Sequence, residues 1–483
     1  MKFSSLLIAA FSGLIIPSAA LEIRVSPEQP NGLKNALDQA SKLLKTSGLP
    51  KEGIQIKLAA GDYFFSKRHV LGPEFKGTAE SPIVIEAQGA VWFDGSREID
   101  ALSFKKVTDT AERARLSSQV VDKVRVTTIT DKALLKRFRK SLMSNLVVDE
   151  QAYLPAVFPN EGYAYVDSDP ITPEVSPPAI LPGNEDYGVR AGTHPQREPG
   201  RRKGWRGSLS EPRGARVGFA SYENEMAGTW EQWEKELARN NRRNRMTGFM
   251  EANWLLSSQG IHAASATDRC VHLSKALTYG WNWKQKDKPF RVFGMLCELD
   301  RPGEWHFDVI SSRLFLYPPN PITANSSIRL SLATGFIELK ETRHVSVLGL
   351  SARRIGDGSV YKISGSHNRV AGAIIRDSTA NGIHLEGVNN EVKGCDLIDL
   401  KSHVELTGGK ASSASIKTGG NLVENCHIYQ KNVRHQKVKI SIHGVGNIFR
   451  NNLVHNSIGQ AVVVRGNDHL ISLNEFFNIG FEE

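Results

Sequence analysis

Six segments can be laid on one another: VSVLGLSARR (345–354), VAGAIIRDS (370–378), VKGCDLIDL (392–400), VENCHIYQ (423–430), FRNNLVHN (449–456) and ISLNEFFN (471–478). One column of this alignment holds Gly349, Ala373, Cys395, Cys426, Asn452 and Asn474, at spacings of 24, 22, 31, 26 and 22 residues. Two residues on stand Ser351, Ile375, Leu397, Ile428, Val454 and Phe476; three residues before the column, the last five segments give Val370, Val392, Val423, Phe449 and Ile471. A period of about 22 residues with insertions signals a solenoid. Short segments rich in Val, Ile and Leu, bounded by Gly, Asn or Asp, leave no room for a helix. The fold read from this stretch is a right-handed parallel β-helix, in which like residues stack at roughly 4.8 Å from coil to coil.

A second strand recurs in each coil. Ile383 and Leu385 lie 10 and 12 residues after Ala373, as Val462 and Val464 do after Asn452, and each pair is followed by a glycine, Gly387 or Gly466. Alternation places these four inside and His384, Glu386 and Arg465 outside. In VKISIHG (438–444) it likewise places Ile440 and Ile442 inside, with Ser441 and His443 outside. One outer face thus carries Glu386, His443 and Arg465 in equivalent positions, which suits either a solvated sheet face or a binding surface. Stacked inward Asn452 and Asn474 suit amide bonding along the axis. Cys395 and Cys426, stacked with side chains pointing the same way, suit buried thiols better than a disulfide.

Outward from the repeat, Lys2, the apolar run from Leu6 to Ile16 and Ser18-Ala19-Ala20 read as a signal peptide (1–20), cleaved near Ala20 to give a secreted or periplasmic protein. No later run approaches the eighteen apolar residues of a spanning helix. Removing Lys2 lowers the formal charge from +10 to +9, an excess that hints at acidic partners. Nothing resembles a nucleic-acid module, so no nucleic-acid partner is expected. Residues 31–46 place Leu33, Ala36, Leu37, Ala40, Leu43 and Leu44 at helical spacing, a candidate end cap for first coils that run to residue 100. Residues 101–335 interrupt the coils with a mixed, β-rich segment that includes an arginine-rich loop around Trp205 and a capping-box helix opening at Thr229. Its clustered aromatics, from Trp254 to Tyr317, suit sugar stacking or core packing equally. The repeat then resumes over 336–483.

Three stretches carry a family resemblance: GDYFFSKRHVLGPEFKGTAESPIVIEAQG (61–89), PFRVFGMLCELDRPGEWHFDVISSRLFLYPP (289–319) and GNDHLISLNEFFNIG (466–480). They resemble the bacterial right-handed β-helix proteins related to glycoside hydrolase family 141, from about Ile54 to the last residue, with 101–141 and 166–245 matching poorly. The resemblance implies hydrolysis of a glycosidic bond in a plant or algal polysaccharide by two carboxyl groups flanking that bond. In relatives the segment matching Phe481-Glu482-Glu483 continues into an Asp- and Gly-rich stretch and further coils, where acidic catalytic residues are expected. By that comparison the repeat is cut short after Glu483, and its last coil is expected to be unstable or to associate.

Within the chain, the hydrolase reading takes Glu386, Asp468 and Glu482 as candidate acids, with His384, His443 and Arg465 as substrate contacts, and needs no metal or cofactor. A polysaccharide lyase is the alternative. It would neutralise a uronate carboxylate with Ca²⁺ or Arg while a Lys, Arg or His takes the adjacent proton, and Lys439, His443 and Arg465 are compatible with it. A glycan-binding protein without catalysis is a third reading. No metal-ligand spacing, phosphate-binding glycine loop or Ser-His-Asp order emerges.

Overall fold

The computed structural model describes residues 20–140, 145–166, 216–218, 229–239, 244–252, 255–267, 270–273, 288–412, 415–431 and 437–480. The chain is mostly strand, and nineteen strands join in one parallel network. Like residues stack on like, in three ladders. In the first, Ile23, Ile56, Ile85, Val347, Val370, Val392, Val423, Phe449 and Ile471 stand opposite one another in turn. The second runs through Tyr63, Phe93, Ala352, Ile375, Leu397, Ile428, Val454 and Phe476. The third runs through Leu71, Leu339, Ile363, Leu385, Leu406, Ile442 and Val464. Most of these side chains are fully buried, and each such Val, Leu or Ile contributes about 1.5–3 kcal/mol.

Two positions of the sequence alignment shift by one residue. Ala352, not Ser351, pairs with Ile375. Gly349 is not in the inward column; with φ of 71° it occupies the left-handed bend taken by Gly372, Gly394, Asn425 and Asn451 in later coils, and the buried Leu350 points inward in its place. That bend favours residues that tolerate positive φ. Leu473 adopts it too, at 56° and 81% exposed, and nothing in the structure accounts for a leucine there. The last described coil leaves other apolar side chains open: Val464, expected inside, is 45% exposed, and Ile471 and Phe476 are exposed as well.

The bends are held by asparagine. Asn368 N donates to Asn390 Oδ1 (2.9 Å), Asn390 N to Asn421 Oδ1 (3.0 Å) and Asn421 N to Asn447 Oδ1 (3.3 Å), so a line of fully buried amides runs along the stack. His469 ends the line, its Nδ1 accepting from Asn447 N at 3.2 Å. A second, shorter line joins Asn452 Nδ2 to Asn474 Oδ1 at 3.0 Å. Each amide satisfies backbone groups that burial would otherwise leave unpaired. Cys395 and Cys426 are buried free thiols.

Phe93 and Ala352 are direct neighbours in the second ladder, and Leu71 and Leu339 in the third, so the stretch between Asp94 and Ile337 leaves the stack and the chain rejoins it in register. That intervening stretch forms sheets of seven and eight strands. The aromatics there pack into cores: Trp305, Phe307 and Phe138 in one, Trp230 and Trp233 in another. Trp254, Trp281 and Trp283 lie outside the described residues. The intervening sheets meet the ladders through charge, with Arg354 bonded to buried Asp94 (2.5 Å) and to Glu150 (2.9 Å). At the other end, the helix Gly32–Thr46 buries Leu33, Ala36, Leu37 and Ala40 in one cluster with Val25 and Ile54. No helix among the described residues is long and apolar enough to cross a membrane.

Candidate functional site

The third ladder presents its middle residue outward in every coil. Register places Glu338, Lys362, His384, Glu405 and Ser441 in one row along that face. The adjoining row is fixed by backbone bonds from Glu386 N to Ile363 O, His443 N to Leu406 O and Arg465 N to Ile442 O, which put Glu386, His443 and Arg465 at equivalent positions of different coils.

The carboxylates of this face differ in their partners. Burial alone would raise the Glu338 pKa, but hydrogen bonds from Arg68 (2.8 Å) and Lys362 (3.3 Å) hold it below the ordinary value. A carboxylate so saturated has little capacity to take or give a proton. Glu386 and Glu405 face His384 instead: Nε2 lies 3.9 Å from Glu386 Oε2, and Nδ1 lies 3.6 Å from Glu405 Oε2. The side chains of the two acids are 53% and 45% exposed, against 22% for His384. The imidazole therefore sits between two accessible carboxylates whose oxygens are at most about 10 Å apart, a bound that admits both geometries of glycosidic acid pairs.

Of the sequence candidates, His384 and Glu386 are brought together, and His443 and Arg465 continue their face on later coils. Asp468 is not part of that group. It is an exposed turn residue with φ of 57°, matching Asn389 and Gly446 in earlier coils at 53° and 67°, a position where Asp is favoured because it tolerates the left-handed region. Glu482 and the arginine-rich stretch up to residue 215 lie outside the described residues.

Glu405 was missed by the spacing rule. Its coil is one residue shorter between the second and third ladders, where the register shifts between Ser378 and Asn381. Val404 and Leu406 thus fall 9 and 11 residues after Cys395 rather than 10 and 12. The alternation in HVEL (403–406) was the available signal.

A second group of acids lies in the intervening sheets. Burial pushes Glu298 up to about 7 and Glu304 up to about 9, and Asp300 adds to both. Raised carboxyls of this kind often mark catalytic acids. Here they are 7% and 3% exposed, and Glu298 accepts a hydrogen bond from Trp233 Nε1 at 2.5 Å. A polymer has no access to them. Among the described residues no group of three or more His, Cys, Asp or Glu side chains is placed to hold a metal ion.

No family model and no curated protein matches the sequence. Among solved structures, one described as "Glycoside hydrolase" aligns with a TM-score of 0.51 over 94% of this chain and 96% of its own, at 11% identity. The chain shares the fold of that glycoside hydrolase. This likeness agrees with the resemblance to glycoside hydrolase family 141 carried by the sequence, and at 11% identity it shows the fold. Two phage tailspikes also align, each at 8% identity. They are gp49 from Pseudomonas phage LKA1, over 90% of this chain and 51% of its own (TM-score 0.15), and Gp54 of Acinetobacter baumannii bacteriophage AP22, over 94% and 69% (0.12). Nothing further rests on these two.

Proposed function

We propose that the chain is an exported glycoside hydrolase that cleaves a plant or algal polysaccharide along the third-ladder face, with Glu386 and Glu405 as its carboxyl pair. Its frame is a right-handed parallel β-helix, covered at its first coil by the helix Gly32–Thr46 and carrying residues 101–335 as an inserted domain. The observation that supports the pair is the placement of two half-exposed carboxylates on either side of His384. One acid protonates the glycosidic oxygen as the bond to the anomeric carbon breaks, while the other activates water or attacks that carbon. His384, within reach of both, orients them and helps decide which holds the proton. His443 and Arg465, further along the face, contact the sugars beyond the cleaved bond.

The test is incubation of the purified chain with a panel of plant and algal polysaccharides. New reducing ends, formed without near-ultraviolet absorbance of an unsaturated product, support hydrolysis. Reducing ends that appear with that absorbance contradict it and indicate elimination from a uronate. Binding with no new ends in any polymer also contradicts it and leaves a glycan-binding protein.

A further inference from the structure

A two-stranded hairpin stands beside the proposed site. Its strands, Lys410–Ala411 and Ile416–Lys417, project from the bend that follows the third ladder, immediately after Thr407, in the coil between those of Glu386 and His443. Its base is clamped. Asn389 N donates to Gly419 O at 2.8 Å, and Gly419 N to Val445 O at 2.7 Å, which ties the hairpin to the coils on both sides. A side chain on Gly408 would meet Asn421 Nδ2 at 2.4 Å and Gly387 O at 2.5 Å, so the base is packed too closely for anything but glycine.

Lys410 pairs directly with Lys417 across the hairpin, which puts both on one side and Ala411 and Ile416 on the other. Like charges directly opposite each other destabilise a strand pair. Neither lysine forms an ion pair among the described residues, and both are exposed. Arg465, exposed on the neighbouring face row, has no ion pair among them either. Fold stability does not explain two facing lysines on a hairpin this short. An anion lying between them would offset the repulsion.

We propose that this hairpin binds the acidic groups of the glycan, so that the substrate is a polysaccharide bearing carboxylate or sulfate. The inference rests on the reading of the third-ladder face as the site of sugar binding, and it adds the charge of the substrate. Lys410 and Lys417 hold an acidic group of a sugar flanking the cleaved bond, and Arg465 a group further along.

The experiment measures binding of the full chain to three probes by calorimetry: an oligogalacturonate, a sulfated galactan oligosaccharide and a neutral xylo-oligosaccharide. At least one acidic probe should bind about tenfold more tightly than the neutral one at low salt, with the difference shrinking as salt screens it. Lys410→Gln/Lys417→Gln should lose most of that difference, with a melting temperature unchanged or raised. Lys410→Glu, which replaces repulsion by an ion pair across the hairpin, should keep the fold and lose acidic binding. The result identifies carboxylate or sulfate by which acidic probe responds. Equal affinity for all three probes, or acidic binding unaffected by both variants, overturns the inference. Lysine-dependent binding without cleavage overturns the hydrolase reading alone, whereas cleavage of the neutral probe with no acidic preference overturns this inference alone.

Discussion

The ladders hold two buried neutral imidazoles, and the intervening sheets hold two buried neutral carboxyls. In the ladders burial holds the His403 imidazole neutral, pushing its pKa down to about 3, and His69, packed among Phe65, Phe93 and Phe336, falls to about 4. In the intervening sheets burial holds carboxyls neutral, at about 7 for Glu298 and about 9 for Glu304. For the histidines the folded pKa lies below the unfolded 6.5, so their contribution is present above pH 6.5 and is lost as the pH falls through 4 and 3. For the two glutamates the folded pKa lies above the unfolded 4.5, so their contribution is full below pH 4.5 and is lost as the pH rises through 7 and 9. Through these four groups, acid weakens the ladders and alkali weakens the intervening sheets.

The largest expected effect strikes the intervening sheets. Arg115 pairs with Glu236 at 2.6 Å and Asp308 at 2.9 Å, and both acids are almost fully buried. Arg115→Ala leaves two buried charges without their cation and should cost about 3–5 kcal/mol, read as earlier denaturant unfolding of the Trp230 and Trp305 cores while ladder amides keep their exchange protection. The corresponding break in the ladders is Asn421→Leu. It removes the bonds from Nδ2 to Thr407 O (2.7 Å) and Gly387 O (2.9 Å) and the acceptor of Asn390 N. It should cost about 2–4 kcal/mol, with exchange rising in the ladders and not in the sheets. Smaller effects follow from pH. Glu304→Gln should make the stability of the intervening sheets less dependent on pH between 5 and 9, and His403→Gln should do the same for the ladders between pH 6.5 and 3, each seen in melting curves across pH. If both variants altered the same transition, the contrast between the two parts would fail.

The same contrast decides what was legible in the sequence. The ladders repeat, so Val370, Val392 and Val423 announce one another, and the face of His384, Glu386, His443 and Arg465 follows from alternation. The buried line Asn368, Asn390, Asn421, Asn447 and His469 was legible in principle, because its spacings of 22, 31, 26 and 22 residues match those of the inward column. Asparagine beside glycine is also ordinary turn composition, which masks the period. A one-residue shortening hid Glu405 from the coil spacing, and only the local alternation in HVEL (403–406) marks it. The intervening sheets rest on pairs such as Arg115 with Glu236 and Asp308, which are 121 and 193 residues apart in the chain. Such pairs leave no local period, so only the fold brings them into view.

The central claim is that Glu386 and Glu405 act together on a glycosidic bond. Its most direct test is the rate of reducing-end release by Glu386→Gln, Glu405→Gln and the double variant on a polysaccharide that the unaltered chain cleaves, with melting temperatures as the control for folding. Each single variant should lose at least about a hundredfold in kcat, and the double variant little more than the worse single one, as for residues acting as a unit. Cleavage at the unaltered rate by either folded single variant would contradict the account.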